Sequence, residues 1–170
     1  WLWAGAGALT SIATIVLAYQ VRTDRAIISP WTETSPLIFL SLSLSSLALI
    51  AALSQTAKNI HRQLLLSLYY LSLFSLAAII YHLGYGFDPF IHQAAMTEIS
   101  QHGYILPKTP YYIGQYSLII ALHKFTGINL NLINQWFLPI FSALALPYLL
   151  SYLTKDGADN KNKTWQASLL

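Results

Sequence analysis

Pro36-Leu37-Ile38-Phe39-Leu40-Ser41-Leu42-Ser43-Leu44-Ser45-Ser46-Leu47-Ala48-Leu49-Ile50-Ala51-Ala52-Leu53 carries no charged side chain. Its centre alternates leucine and serine, the period of a half-buried strand. Two features favour a helix instead. The run is long and has no turn residue after Pro36, and an open sheet in lipid leaves backbone groups unsatisfied whereas a helix satisfies them internally. Serine is tolerated in such a helix because its hydroxyl bonds back to the preceding turn.

Outward from this stretch, three further runs have the same character: Trp1 to about Gln20, Leu64 to Tyr81, and Leu132 to Leu153. None has Asp, Glu, Lys or Arg in its interior. A bilayer core of about 30 Å needs roughly 20 apolar residues as helix. Hydrophobic residues make up 55% of the chain and charged residues 9%, against about 25% charged in a soluble domain. The expected fold class is therefore all-α: a polytopic transmembrane helical bundle. It forms one transmembrane domain over residues 1–170, with spans at about 1–20, 36–53, 64–82 and 132–153. Pro139 and Pro147 are expected to kink the last of these. Trp1, Trp3, Trp31 and Trp165 lie at or just beyond run ends, with Trp136 one turn inside, as in an interfacial aromatic belt.

The absence of cysteine excludes disulfides and thiolate metal sites. The net charge of +3 is small and its basic residues are scattered, which gives topology markers and no nucleic-acid footprint. Lys58, Arg62, Lys155, Lys161 and Lys163 fall on one side if every run spans, in short loops. Arg22, Arg25, Lys108 and Lys124 are spread over longer stretches on the other. The positive-inside rule then places the loop of residues 84–131 outside the cytoplasm of a multi-pass plasma (inner) membrane protein. The Asn162-Lys163-Thr164 sequon would face the cytoplasm and reads as a chance occurrence. The first run lacks a signal peptide's basic leader. A chain starting at Trp1 and stopping as another apolar stretch begins at Leu170 is expected to belong to a longer protein.

Between Glu33 and Asp156 the acidic residues are Asp88 and Glu98, both within that loop. Carboxylates are expensive near a bilayer, so their retention marks a candidate site. Phe90 to His102 reads as a short helix with Pro89 in its first turn and Gly103 as a left-handed C-cap. Asp88 is then the N-cap, a role sufficient by itself to explain a carboxylate there. At about 100° per residue, Asp88, His92, Glu98 and His102 share roughly a third of the helix circumference, with Ala95 and Ile99 between them. Of these, His92, Glu98 and His102, together with Lys108, are the candidate substrate-binding residues. Asp88 and His92, four apart, can share a divalent cation (Mg²⁺ or Mn²⁺), act as base and phosphate ligand, or form a plain hydrogen-bonded pair. The lack of an Asp-x-Asp cluster weakens an oxygen-ligand metal site. Lys108 can neutralise a phosphate or be a solvated loop charge. A second helix from about Tyr111 to Phe125 has an apolar core too short to span and is expected to lie along the interface, Lys124 snorkelling. His82 and His123 read as interfacial residues. The expected loop thus carries two amphipathic juxtamembrane helices.

The order of parts, with Gly86-Phe87-Asp88-Pro89-Phe90-Ile91-His92 directly after a spanning run, then Gly103-Tyr104-Ile105-Leu106-Pro107 and Pro110-Tyr111-Tyr112-Ile113-Gly114-Gln115-Tyr116, resembles the N-terminal part of GT-C superfamily membrane glycosyltransferases. Protein mannosyltransferases, lipid A aminoarabinose transferases and oligosaccharyltransferase catalytic subunits are similar. The resemblance covers roughly residues 64–153. It implies transfer of a sugar from a polyprenyl-phosphate-type donor to an acceptor on the extracytoplasmic side, with Asp88 as general base or metal ligand. Two spanning runs precede the helix that would come first in that family, and Pro89 stands where an acidic partner often lies. The alternatives are a transporter or lipid-linked-glycan flippase component, and an assembly subunit whose loop binds a partner. Transport predicts polar groups near the midplane of the spans, which here are apolar apart from serines.

Overall fold

A computed structural model of the chain describes residues 2–25, 32–55, 59–83, 88–105 and 111–167, with side chains as far as Tyr152. The described residues form seven helices: α1 (Leu2–Gln20), α2 (Pro36–Gln55), α3 (Asn59–Phe74), α4 (Leu76–Ile80), α5 (Asp88–His102), α6 (Ile113–Thr126) and α7 (Leu130–Ala167). No strand forms among them, and one isolated parallel bridge joins Thr23 and Tyr81. The all-helical class expected from the sequence is the one observed.

Three helical stretches are long and apolar enough to cross a membrane: Leu2–Gln20, Pro36–Gln55 and Leu130–Tyr152. Only 22%, 33% and 22% of their apolar windows are buried inside the protein, so most of these side chains face outward. Leu9, Leu47, Ile50, Leu144 and Tyr148 are all well exposed. Water does not tolerate so broad an apolar surface on a monomer, whereas lipid does. The three helices fit a membrane-embedded protein.

The expected third run differs. It divides at Ser75 into α3 and α4, of 16 and 5 residues, and neither piece reaches spanning length alone. The backbone stays nearly helical through the break, with Ser75 N–H donating to Leu71 O at 3.0 Å and Ile79 N–H to Ser75 O at 2.9 Å. No glycine or proline marks the spot. The Ser75 hydroxyl is buried with no hydrogen-bond partner among the described residues. The fourth run also differs, since α7 continues through both prolines and beyond the expected end at Leu153. Pro139 and Pro147 are buried in the bundle. The Ser151 hydroxyl donates to Pro147 O at 2.8 Å.

Small residues set the main helix contact. The buried positions of α1 are Gly7, Ser11, Thr14 and Ala18, and those of α2 include Ile38, Ser41, Ser45, Ala48 and Ala52. Both sets step by three and four residues, the spacing that keeps one seam facing a neighbour. The helices run antiparallel, so Gly7 meets Ala48, Ser11 meets Ser45 and Thr14 meets Ser41. The two hydroxyl pairs lie at 2.6 and 2.9 Å, and Ser41 also donates to Thr10 O at 3.0 Å. This resolves the leucine–serine alternation: Ser41 and Ser45 share the face toward α1, while Ser46 turns toward α3 and bonds the Tyr69 hydroxyl at 2.8 Å. Helix α3 in turn packs against α7.

The exit of α1 is tied to the end of α4. Thr23 N–H donates to Ile80 O at 2.8 Å, and Asp24 pairs with His82 at 3.2 Å. Beneath them Ala18, Ile38, Ile80 and Tyr81 form a buried cluster. A second cluster joins the short helices to α7: Ala95 and Met96 from α5, Tyr116, Ile119 and Ile120 from α6, and Leu130.

The hydroxyl pairs make a double-mutant cycle informative. In reversible unfolding in mixed micelles, Ser11→Ala and Ser45→Ala should couple by about 0.6 kcal/mol, with about 1.7 kcal/mol as the ceiling for such bonds in membrane proteins. Strict additivity would show that the two hydroxyls do not meet.

Candidate functional site

Helix α5 begins with Asp88 and Pro89 in its first turn. A carboxylate there is favoured by the dipole, and proline loses no helical bond. Asp88 was expected just outside the helix as its N-cap, and instead lies within the first turn. Gly103 closes the helix at φ 81°, its N–H donating to Ile99 O at 2.8 Å. Helix α6 is 14 residues long, about 21 Å at 1.5 Å per residue, too short to cross a bilayer core. It ends at Gly127 with φ 71°. His123 completes this end by donating from Nδ1 to Ile128 O at 2.6 Å. Asn129 then starts α7, its Oδ1 accepting from the amides of Asn131 and Leu132 at 2.9 and 3.4 Å.

The arc of α5 singled out from the sequence divides in the fold. Ala95 and Met96 are buried, with Ile99 packed beside them. His92 sits on one flank, its Nδ1 2.6 Å from the Tyr116 hydroxyl. The Tyr112 ring meets the imidazole edge-on at 5.0 Å. On the other flank Glu98 and His102 pair with each other at 3.1 Å in solvent. Ten residues separate Asp88 from Glu98, about 15 Å along the axis. The structure therefore does not bring Asp88, His92, Glu98 and His102 into one constellation. Asp88 is exposed and makes no hydrogen bond or ion pair among the described residues. Lys108 lies outside the described residues. The described residues contain no group of three His, Cys, Asp or Glu placed to hold a metal. Asp88 and His92 would offer a cation one carboxylate and, with Nδ1 committed to Tyr116, one ring nitrogen, so water or substrate oxygens would have to fill the rest of a Mg²⁺ shell.

What the fold assembles instead is a cleft of about 660 Å³ between the ends of α4, α5 and α7. Six carboxamides line it: Gln93, Gln115, Asn129, Asn131, Asn134 and Gln135. Phe74, Leu138 and Pro139 form its apolar end. Pro89 and Phe90 form one rim, so Asp88 stands one residue from the wall. Among the described residues no Asp, Glu, Lys or Arg lines it, and His82 stands at its edge. Gln135 holds the walls together by donating to Ala78 O at 2.7 Å, an acceptor left open at the end of α4. A second groove, of about 520 Å³, adjoins the first and shares Ala78, His82, Leu132 and Gln135 with it. It carries Arg22, whose guanidinium lies 5.9 Å from the Tyr19 ring centroid. Neither the carboxamides nor Arg22 stood out in the sequence. The signal that was legible is the amide-rich stretch Asn129–Gln135 at the start of a spanning run.

No protein-family model, curated protein or solved structure matches the chain.

Tyr116 is 2% exposed, and burial, followed by the neighbouring Tyr112, raises its phenol above the usual 10.0. Its proton is thus retained at neutral pH for the bond with His92. The unfolded chain ionises first, so this group adds stability that is full below pH 10.0 and is lost as pH climbs through the raised value. Tyr116→Phe should cost about 0.5–1.5 kcal/mol at neutral pH by removing one hydrogen bond without a cavity. It should also remove part of the alkaline loss of stability. Identical alkaline unfolding profiles for the two proteins would show that Tyr116 titrates like an exposed phenol.

Proposed function

We propose that the protein is a polytopic membrane glycosyltransferase of the GT-C type, transferring a sugar from a polyprenyl-phosphate-type donor to an acceptor on the extracytoplasmic face. The observation that carries this reading is an exposed carboxylate, Asp88, unpaired among the described residues and one residue from the wall of a cleft that is polar at one end and apolar at the other. An amphiphilic substrate has the same polarity, since its chain belongs in lipid and its hydroxyl-bearing end at the headgroup plane. Arg22, in the adjoining groove, offers fixed donors suited to a phosphate.

In this mechanism Asp88 accepts the proton of the acceptor hydroxyl as that oxygen bonds to the anomeric carbon. The bond from that carbon to the phosphate oxygen breaks, and the electron pair leaves on the phosphate, where Arg22 offsets the charge. His92 serves a different purpose. Its contact with Tyr116 fastens α5 to α6 and thereby sets where Asp88 stands. Glu98 and His102, paired in solvent along the helix, take no part in the chemistry.

General-base catalysis is worth about 10²–10⁴-fold. In the full-length protein, Asp88→Asn should lower transfer from a radiolabelled polyprenyl-phosphate sugar by about that factor, with unchanged expression and detergent elution profile. Undiminished transfer by Asp88→Asn would remove this carboxylate from the mechanism.

A further inference from the structure

Among the described residues no Asp, Glu, Lys or Arg lines the 660 Å³ cleft, although it lies close to Asp88 and Arg22. A carboxamide presents two N–H donors and a carbonyl acceptor without net charge. That set matches hydroxyl groups, which both donate and accept, whereas phosphates and carboxylates are better met by cations. Much of this capacity is unspent. Asn129 uses Oδ1 to start α7 and leaves its amino group free. Gln115 donates to Asn134 Oδ1 at 3.4 Å, which leaves the Gln115 carbonyl and the Asn134 amino group. Gln135 spends its amino group on Ala78 O and keeps its carbonyl. The Gln93 and Asn131 side chains bond nothing among the described residues.

Depth adds a second constraint. From Asn129 to Pro139 the wall of α7 descends ten residues, about 15 Å, or half of a bilayer core of about 30 Å. Asn131, Asn134 and Gln135 occupy the first two turns of the apolar stretch Leu130–Tyr152, which puts them at the headgroup end of that span. Leu132, Leu138 and Phe90 line the cleft and are also exposed, at 50%, 60% and 48%. The cleft therefore opens sideways toward the medium that surrounds the spanning helices.

From these features we infer that the cleft is a lateral binding site for a membrane lipid with an uncharged, hydroxyl-rich headgroup. The hydroxyls are met by Gln93, Asn129, Asn131 and Asn134, and the first methylenes of the chain lie against Phe74, Leu138 and Pro139. A free sugar would leave that apolar end uncovered, and among the described residues an anionic headgroup would find no Lys or Arg lining the cleft, its one imidazole, His82, being paired with Asp24. The inference rests on the membrane reading above and concerns the acceptor side of that transfer, a neutral hydroxyl-bearing lipid in this cleft beside a donor whose phosphate meets Arg22 in the adjoining groove. It does not require Asp88 to act as a base.

The test uses full-length protein in phosphatidylcholine nanodiscs with a diazirine-bearing alkyl glucoside as photoprobe. Crosslinks should map to the segments around Phe74–His82 and Leu132–Pro139. Glucosyl diacylglycerol should suppress them at a concentration at least about tenfold below that needed of phosphatidic acid, as expected for the loss of one or two hydrogen bonds. Free glucose should have no effect. The double substitution Gln93→Leu with Asn131→Leu breaks no bond within the fold and should weaken labelling by about tenfold or more. Ala77→Phe, which fills the apolar wall and leaves every carboxamide in place, should weaken it as well. Equal suppression by phosphatidic acid, suppression by glucose alone, or labelling unchanged in both variants overturns the inference. A protein that passes yet transfers no sugar keeps the binding site and loses the enzymatic reading.

Discussion

Two hydroxyl pairs, Ser11 with Ser45 and Thr14 with Ser41, hold the first two helices together. Among apolar surroundings there is little hydrophobic gain in joining one helix to another, so close backbone approach and interhelical hydrogen bonds must do so. The rest of the molecule depends on that seam. It sets the position of the α1 exit, where Thr23 bonds Ile80 and Asp24 reaches His82. The end of α4 is thereby placed, and Gln135 ties α7 to the same short helix through Ala78. The walls of the cleft follow from these ties in turn.

The juxtamembrane helices are fixed by a different kind of contact. Helix α5 has too little apolar surface to anchor itself, and buries only Ala95 and Met96 fully. It is held through the His92–Tyr116 bond to α6, whose buried residues sit on the first turns of α7. Asp88 is thus held one residue from the cleft wall, with no hydrogen bond or ion pair among the described residues. The division of labour is also one of charge. Neutral amides face the centre, Arg22 flanks one side in the adjoining groove, and the acid stands at the other rim.

Local signals in the sequence were read correctly where one residue type dictates the backbone. The limits of α1 and α2 match to within two residues, and Gly103 adopts the left-handed conformation expected of it at the end of α5. The same signals were silent on Ser75, where the third run divides without glycine or proline. Helical spacing grouped His92 with Glu98 and His102 on one face, but a face says nothing of what packs on it. Tyr116, 24 residues away, claimed the imidazole. The carboxamide cleft draws Gln93, Gln115 and Asn134 from three helices, so no window of sequence contains it. Arg22 read as a topology marker because its groove is completed by Trp136, more than a hundred residues later.

The central claim is that the carboxamide end of the cleft lies at the lipid headgroups while α7 continues into hydrocarbon. Because the chain lacks cysteine, single spin labels can be placed without background at Asn131→Cys and Leu144→Cys and their depth measured in bilayers. The account requires the label at position 131 to collide with a water-soluble relaxation agent and that at position 144 to respond to oxygen alone. Equal access of the aqueous agent to both positions, or its exclusion from position 131, would contradict it.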